Sequence, residues 1–523
     1  MAAPLVISSI VVLPIHPILA IPLAWAVSLL FSLWGYYRCF YPLLGLETGL
    51  HTARFAKRHE LADLYASLPD ETALLMGINH WYSLFRRFVL VRPTRTRRAL
   101  GNLLIVAPTQ IGKSLLATAQ LLSWKHSVIV NDIKGELFQS TAGYRATLGK
   151  VYVIDPQGVG NCYDPLLGKD TEDKLFSQAS SILFEPEERE RIFTQRASVM
   201  LTQLFAAARM ESKPTLPYVR HMTRQGLEAT AKRLNDLDPD LATQFLDVSF
   251  EEAHFSDRFL HSAWSTLTTK LRPLLTETVI KCFTRSDFTP EQILQSDTPI
   301  TVYFRWPEKD LLALSPLVRL LWGSMIDEFI ATYDRNLGKG CHPVLLLIDE
   351  AGRTAIPSLA DHATTVVGRG ISMWIAIQSI SQLEAIYGKA RAQVLKDNME
   401  TQIYHRTNDF FTAKYLEDRL GSKSAYARST TLRDGHYGAV KSEGHAERPI
   451  PLLTAQEIMK LKDHEILGFH RSLPPFKIRR VEWWRHPILT NRRNIPAPAL
   501  LTLPVVSDFL PGEAQREGDE DIY

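Results

Sequence analysis

Cysteine is scarce in this chain of 523 residues. Its cysteines, Cys39, Cys162, Cys282 and Cys341, lie far apart and lack the spacing of metal ligands. This scarcity argues against a disulfide framework and a zinc site, and it favours a reducing compartment. A large excess of one charge is also lacking, because the net charge is only +3, so whole-chain electrostatics does not indicate nucleic-acid binding. The composition, 46% hydrophobic and 22% charged, is typical of a folded protein.

Charged residues are absent from Met1 to Tyr37. Within this segment Ile18 to Trp34 is almost wholly apolar, and the first positive charge, Arg38, follows beside several tyrosines. This pattern predicts a membrane anchor over residues 1–44, and the positive-inside rule then places the bulk of the chain in the cytoplasm. We expect one tilted span from about Pro17 to Tyr37, with a tight two-span hairpin as the alternative.

Glycine is missing from the first position of the most informative motif. After the apolar run Leu103 to Val106, the pattern G-x-x-x-x-G-K-S/T is met except for its first residue. The stretch consists of Ala107, Pro108, Thr109, Gln110, Ile111, Gly112, Lys113 and Ser114. A strand, a tight loop and a helix in this order form the phosphate-binding geometry of P-loop NTPases, in which backbone N–H groups surround the phosphates. Lys113 would reach the β- and γ-phosphates of ATP, and the Ser114 hydroxyl would bind Mg²⁺. An ordinary strand–turn–helix with a surface lysine is the alternative.

A second motif lies far downstream, where the apolar run from Pro343 to Ile348 ends in Asp349 and Glu350. Such a run predicts a strand that is buried on both faces, and acids at its carboxyl end lie where open α/β sheets bind ligands. We expect Asp349 to hold Mg²⁺ and Glu350 to orient or deprotonate the attacking water. The two motifs in this order predict an ATPase.

The remaining pattern predicts an α/β fold: a P-loop NTPase core with a mainly parallel sheet, an inserted all-α domain and the N-terminal transmembrane anchor. The expected strands are Leu103–Val106, Ser127–Asp132, Val151–Asp155, Ile300–Phe304, Val344–Asp349 and Met373–Ile377. Helical periodicity is expected over Leu175–Leu183, Arg189–Ala208, Pro217–Leu234 and Phe259–Leu275.

These patterns also predict the domain bounds. The nucleotide-binding domain is expected over 101–165 and 299–490, with the all-α domain between them at 166–298. Residues 45–100 are expected to form a linker, and 491–523 a tail with an acidic end. The linker has a basic cluster that would suit a solvated linker, a lipid-facing patch or a nucleic-acid patch equally. Its members are Arg86, Arg87, Arg92, Arg95, Arg97 and Arg98. The polar stretch from Ser424 to Glu447 is expected to be an exposed loop.

Six motifs in order resemble those of the type IV coupling proteins, the TraG-type DNA-transport ATPases of conjugation and type IV secretion. They are Ala107–Ser114, Asp132–Glu136, the segment from Tyr144 to Leu166, Ile348–Ala351, Gln378–Leu383 and the segment from Pro451 to Ile458. In that family alanine often takes the first P-loop position. The family usually has Asn-Pro-Leu where this chain has Asp164-Pro-Leu166, and it usually has two transmembrane helices.

The resemblance implies a homohexamer that is anchored in the bacterial inner membrane and has a RecA-like nucleotide-binding core. Such a protein uses ATP and Mg²⁺ to deliver relaxase-bound single-stranded DNA, effector protein or both to the components of a type IV secretion channel. It also implies that Arg369 acts on the nucleotide of a neighbouring subunit, with Arg353 as the alternative. Gln378, at the end of the following strand, would hold the attacking water or sense the γ-phosphate. The expected catalytic residues are therefore Glu350, Lys113, Arg369 and Gln378.

Two other functions fit the same motifs. One is a double-stranded-DNA translocase of the FtsK/HerA kind. The other is a membrane-anchored docking receptor whose ATP site controls assembly without translocation.

Overall fold

The computed structural model describes residues 27–32, 34, 51–67, 71–79, 87–92, 100–166, 171–184, 191–353, 356, 358–435 and 438–504. The chain divides into two compact units. The larger unit contains residues 55–414 and 455–523, and the smaller contains residues 1–54 and 415–454.

One large sheet forms the centre of the larger unit. Its strands are β1 Tyr65–Ala66, β2 Leu74–Asn79, β3 Phe88–Val91, β4 Leu103–Val106, β5 Ser127–Asp132, β6 Lys150–Asp155, β7 Val159–Gly160, β8 Ile300–Arg305, β9 Val344–Ile348, β10 Ile371–Ile377, β11 Thr401–His405, β14 Glu465–His470 and β15 Phe476–Arg479; β12 Ser422–Gly435 and β13 Gly438–Pro451 lie in the smaller unit. The thirteen strands that the structure describes in this sheet follow the order β1-β3-β2-β15-β14-β11-β4-β10-β9-β5-β8-β6-β7.

The central part of the sheet is parallel. Strands β11, β4, β10, β9, β5, β8 and β6 pair in parallel with one another in this order. Strands β4, β9 and β10 are buried along their whole length, as expected for strands covered on both faces. Because parallel strands end at one edge of the sheet, the segments after β4, β9 and β10 meet there. The predicted mainly parallel α/β fold and the six predicted strands are thus confirmed.

The prediction of a linker over residues 45–100 was wrong for much of its length. Strands β2 and β3 are antiparallel partners, and β2 pairs with β15, so this segment extends the sheet. Hydrophobic residues from Ala73 to Met76 and from Phe88 to Val91 are buried in the core. The apolar run of β3 is only four residues long and is bordered by basic residues, so the sequence pattern indicated a charged linker instead of a strand. Arg87 and Arg92 border β3, and the other four arginines of the cluster lie outside the described residues.

The described part of the chain also contains α-helices. They are α1 Lys113–Ser123, α2 Glu136–Leu148, α3 Glu172–Leu183, α4 Arg191–Met210, α5 Thr215–Gln225, α6 Leu227–Leu237, α7 Pro239–Leu246, α8 Arg258–Leu271, α9 Glu277–Ile280, α10 Pro290–Gln295, α11 Ser315–Arg335, α12 Leu359–Thr365, α13 Ile380–Asp397, α14 Phe410–Leu420, α15 Ala455–Met459 and α16 Pro487–Arg493.

The segment between β7 and β8 is helical wherever the structure describes regular elements in it, from α3 to α10. The helix predicted over Pro217–Leu234 is in fact two helices, α5 and α6. Gly226 separates them with φ +88°, a backbone conformation that side-chain-bearing residues rarely adopt. The domain bounds placed at 166 and 298 stay a prediction.

A buried carboxylate connects this helical segment to the sheet. Asp164 lies after β7, and its Oδ2 accepts hydrogen bonds from the backbone N–H of Thr215 at 3.1 Å and from the Thr215 hydroxyl at 3.0 Å. Its Oδ1 accepts from the N–H of Leu166 at 3.0 Å. Thr215 begins α5, so Asp164 satisfies an N–H group that a helix start leaves free.

In the smaller unit, β12 and β13 form a long antiparallel hairpin from Ser422 to Pro451. The prediction of an exposed loop over Ser424–Glu447 was therefore wrong. The many serine, glycine and charged residues of this stretch resemble a loop in composition, whereas pairing of the two arms with each other satisfies their backbone groups. His51 and Ser424 exchange hydrogen bonds beside the base of the hairpin.

Most of the predicted membrane anchor lies outside the described residues. Val27–Ser32 and Trp34 are helical, and the described hydrophobic side chains among them are exposed. In the part of the chain that the structure describes, no helix has both the length and the apolar character needed to span a membrane. The acidic end of the predicted tail, after residue 504, also lies outside the described part.

Candidate functional site

The loop from Ala107 to Gly112 joins the end of β4 to the start of α1. Helix α1 begins at Lys113, and Gly112 precedes it with φ +131°, which favours glycine at this position. Gln110 also has a positive φ of 65°. Ser114, the predicted Mg²⁺ ligand, is the second residue of α1 and is half-buried. The loop thus stands at the N-terminus of an 11-residue helix, where free backbone N–H groups favour an anion.

The structure explains why alanine can stand at the first position of this loop. Ala107 is fully buried, and its N–H donates to the carbonyl of Ile377 at the end of β10 over 3.0 Å. Its φ is negative, unlike those of Gln110 and Gly112. The backbone therefore makes no demand for glycine at Ala107, and a small side chain is sufficient.

The two predicted acids follow β9 at the same edge of the sheet. Nζ of Lys113 lies 3.3 Å from Oε1 of Glu350, and both side chains are largely buried. Glu350 has φ +57°, an uncommon conformation for a residue other than glycine. Nε2 of Gln378, just after β10, donates to Glu350 Oε1 over 3.4 Å. The ends of three parallel strands therefore bring Lys113, Glu350 and Gln378 together.

Asp349 has a buried carboxylate that is suited to binding a metal ion. Its Oδ1 is buried and has no hydrogen-bond partner among the described residues. Burial raises the pKa of Asp349 to about 7, with Glu350 and Asp132 adding to the increase and Lys113 opposing it. An unpaired buried carboxylate oxygen is costly. A divalent cation beside Asp349 would remove that cost, so the residue fits the Mg²⁺ ligand that the sequence predicts.

Asn131 supports Asp349 and was missed in the sequence. It is the fully buried penultimate residue of β5, and its Nδ2 donates to the backbone carbonyl of Asp349 over 3.0 Å. Its Oδ1 accepts from Nε1 of Trp306 at 2.8 Å and from Nε1 of Trp322 at 3.3 Å. The only signal in the sequence was an amide at the end of an apolar run. Its two tryptophan partners lie about 175–190 positions away.

Gln382 ties the residue after β10 to the turn after β9. Its Oε1 accepts from the N–H of Gln378 at 3.1 Å, and its Nε2 donates to the carbonyl of Gly352 over 3.1 Å. The two glutamines of the Gln-Ser-x-x-Gln motif thus act as a pair. Gln378 contacts Glu350, and Gln382 holds the backbone of Gln378 and of Gly352, which follows Glu350 in the chain.

The two candidate arginines lie in different places. Nη1 of Arg353 is 3.6 Å from Oε2 of Glu350 and 2.6 Å from Oε1 of Glu308. Arg369 instead precedes β10, at the opposite edge of the sheet from the P-loop. There it makes two 2.8 Å hydrogen bonds to Asp334. The structure therefore brings Arg353 to Glu350, beside the P-loop of the same chain, and leaves Arg369 away from it. The action of Arg369 on a neighbour stays a prediction.

A strand–loop–helix with Lys113 at the helix start, and two acids after the neighbouring parallel strand β9, define an α/β P-loop NTPase fold. The family model described as type IV secretory system conjugative DNA transfer matches residues 89–502. The chain belongs to this family, as the motifs indicated.

The chain is also similar in sequence to individual conjugation and transfer proteins. The chain is 27% identical over 437 residues to Protein VirD4 of Rhizobium radiobacter, covering 79% of this chain and 61% of that protein. It is 25% identical over 466 residues to the conjugal transfer protein TraG of Escherichia coli, covering 80% and 71% respectively. The chain spans about three fifths of the length of the VirD4 proteins that it matches.

Solved structures show the same fold. The plasmid coupling protein TrwB in complex with the ATP analogue ADPNP superposes with a TM-score of 0.59 at 17% identity, over 83% of this chain and 95% of that one. TrwB in complex with ADP and Mg²⁺ gives a TM-score of 0.56 at 18% identity, over 77% and 87%.

Proposed function

We propose that this chain is a membrane-anchored coupling ATPase of a type IV secretion system. It would bind relaxase-bound single-stranded DNA, effector protein or both, and drive transfer into the secretion channel by hydrolysing ATP. The observation that carries this proposal is the meeting of Lys113, Glu350 and Gln378, beside the unpaired carboxylate oxygen of Asp349, in a member of the conjugative DNA transfer family. TrwB, which has this fold, binds ADP and Mg²⁺.

The side chains at the site have distinct roles in this proposal. Bound ATP and Mg²⁺ supply the reactive γ-phosphorus and neutralise part of the phosphate charge. Asp349 and Ser114 would hold the metal ion. Lys113 would leave Glu350 and bind phosphate oxygens instead. Glu350 would then accept a proton from the attacking water. Gln378, hydrogen-bonded to Glu350, would hold that water or respond to the γ-phosphate.

Hydrolysis by the purified full-length protein, with and without single-stranded DNA, tests the proposal. We expect Glu350→Gln to lower kcat by about 10²- to 10⁴-fold, the usual contribution of a general base, while ATP binding is retained. Lys113→Ala should instead weaken ATP binding by at least about tenfold, because it removes charge-assisted hydrogen bonds. Wild-type hydrolysis rates in both variants would contradict the proposed site.

The proposal also includes an N-terminal anchor in the bacterial inner membrane and an active homohexamer. Exposed hydrophobic side chains on the described helical residues support the anchor: Leu29, Leu30, Phe31 and Trp34 are each more than half exposed. Exposed apolar side chains of this size are costly in water and favourable in lipid.

Cell fractionation tests the anchor. The full chain should stay with membranes through high-salt washing, whereas deletion of Met1–Tyr37 should release it into the soluble fraction. Release of the full chain by salt would point to an electrostatic attachment instead.

A further inference from the structure

We propose that Arg480 is a positioning residue of the nucleotide site: it holds the P-loop from outside, in the orientation that binds phosphate. The inference rests on the proposed function, because it concerns the same nucleotide site. Arg480 follows β15, in the antiparallel part of the sheet, and is separated from the P-loop by 369 positions of sequence.

The contact is made directly to the loop backbone. Nη1 of Arg480 donates to the carbonyl of Ile111 over 3.1 Å. Cδ of the same side chain lies 3.4 Å from the point that a Cβ on Gly112 would occupy. The arginine thus covers the peptide unit between Ile111 and Gly112, which is followed by the unit that joins Gly112 to Lys113.

This contact sets the direction of an N–H group. In a planar trans peptide the carbonyl and the N–H point to opposite sides. Because Arg480 binds the carbonyl of Ile111, the N–H of Gly112 must point away from Arg480. Backbone N–H groups of a P-loop bind phosphate oxygens, so fixing this peptide plane prepares one of them for the phosphate. A loop that is already ordered loses less entropy when it binds its ligand.

Arg480 is itself held in place. Its backbone N–H donates to the carbonyl of His464 over 2.9 Å, which fixes the chain as it leaves β15. Nη2 lies 3.7 Å from Oε1 of Glu482, whose Oε2 accepts from Arg485 at 2.7 Å. The side chain of Arg480 is 23% exposed, so its position is set by these contacts and by packing.

A buried histidine closes the space beside the same peptide unit. His405, the last residue of β11, is 1% exposed, and its Cε1 lies 3.9 Å from the point that a Cβ on Gly112 would occupy. Neither ring nitrogen of His405 has a hydrogen-bond partner among the described residues. The carbonyl of Ile111 therefore takes its hydrogen bond from Arg480, although a histidine lies close to the same loop.

Nucleotide binding by the full-length protein tests this inference. In Arg480→Gln the charged donor is lost, so we expect the Kd for a fluorescent ATP analogue with Mg²⁺ to rise about tenfold or more, the usual effect of losing a hydrogen bond from a charged group. KM for ATP should rise similarly, with kcat changed much less, because the residue orders the loop before chemistry. Arg480→Lys keeps the charge with a single donor group and should restore part of the affinity.

Arg479→Gln is the matched control, because Arg479 is the adjacent arginine and is exposed. It should bind nucleotide as the wild type does. The melting temperature of each variant separates positioning from loss of folding, since a merely structural role would lower it and leave the Kd of the folded fraction unchanged. A Kd of Arg480→Gln within twofold of wild type, or an equal loss in Arg479→Gln, would overturn the inference and leave the proposed function standing. Failure of the wild-type protein to bind nucleotide at all would overturn both.

Discussion

At the scale of single residues, Asp164 shows how one buried acceptor can fix the position of a whole segment. It accepts three hydrogen bonds, two of them from Thr215 at the start of α5, and burial raises its pKa. Replacement by alanine would leave three buried donors without a partner. At about 1 kcal/mol for each bond, Asp164→Ala should lower the free energy of unfolding by about 3 kcal/mol.

Asn at position 164 keeps one acceptor oxygen, which can still receive the bonds from Thr215. Asp164→Asn should therefore cost clearly less than Asp164→Ala. Urea unfolding of the two variants measures the difference, and equal losses would show that the hydrogen bonds of Asp164 contribute little.

His405 is expected to make the fold less stable in acid. Burial, together with the charges of Arg480 and Lys113, lowers the pKa of His405 to about 3. A folded pKa below the ordinary value near 6.5 means that neutral His405 suits the folded state. Its contribution to stability is complete above about pH 6.5 and is lost as the pH falls towards 3.

His405→Phe removes this titration and fills a similar volume. Between pH 7.5 and pH 4.5 we expect the wild type to lose about 2.5 kcal/mol more stability than His405→Phe, because other titrating groups are common to both proteins. A stability difference between the two proteins that is independent of pH would contradict the assignment.

At the scale of elements, strands β2 and β3 belong to the folded larger unit. Leu75 N–H donates to Oε1 of the buried Gln120 in α1 over 2.7 Å, and Nε2 of Gln120 donates to the carbonyl of Ala73 over 3.1 Å. The helix that follows the P-loop is therefore tied to a strand that precedes it. Removing β2 would leave the Gln120 side chain buried without partners.

Two truncations test this link. A chain beginning at Phe55 should stay folded and bind ATP, whereas one beginning at Leu100 should aggregate or lose cooperative unfolding, because it exposes the edge of β15. Circular dichroism and thermal unfolding distinguish these outcomes. Equal stability of the two truncated proteins would restore the view of this segment as a linker.

The sequence predicted the strands that consist almost wholly of apolar residues, because such composition indicates burial directly. Apolar runs such as Leu103–Val106 and Val344–Ile348 indicated parallel strands directly. Strand β11, Thr401 to His405, was missed because it contains Gln402 and His405, which are buried all the same. Gln402 is satisfied by the carbonyls of Lys396 and Met399, contacts that only the fold creates.

In the candidate site too, residues in local motifs were predicted, whereas residues that act through distant contacts were missed. Lys113, Ser114, Asp349, Glu350 and Gln378 belong to short motifs, so their sequence neighbours identified them. Asn131 and Arg480 act through the carbonyls of Asp349 and Ile111, which are far away in the sequence. No local pattern distinguishes such residues from an ordinary strand-end amide or surface arginine.

At the scale of the whole molecule, the predicted action of Arg369 on a neighbouring subunit would require subunits to cooperate. It lies at the edge of the sheet opposite to the P-loop of its own chain and is paired with Asp334. If it completes a neighbour's site, Arg369→Ala should lower hydrolysis by about 10³-fold or more while leaving ATP binding intact.

Mixing the two inactive proteins Arg369→Ala and Lys113→Ala should restore part of the hydrolysis, since some interfaces then combine an intact P-loop with an intact arginine. Arg353→Ala provides the comparison, because Arg353 contacts Glu350 of its own chain. Absence of any recovery on mixing, with assembly of the mixed protein verified, would exclude Arg369 as the residue supplied by the neighbour.

We propose that ATP hydrolysis at Glu350 drives transfer through a type IV channel. It is tested most directly by replacing the chromosomal or plasmid copy with Glu350→Gln and measuring the frequency of cargo transfer to recipient cells, with Arg479→Gln as the matched control. The proposed function predicts that transfer falls to background with Glu350→Gln and is unchanged with Arg479→Gln, at equal protein levels in the membrane. Wild-type transfer frequency with Glu350→Gln would show that the protein acts as a docking receptor without a motor.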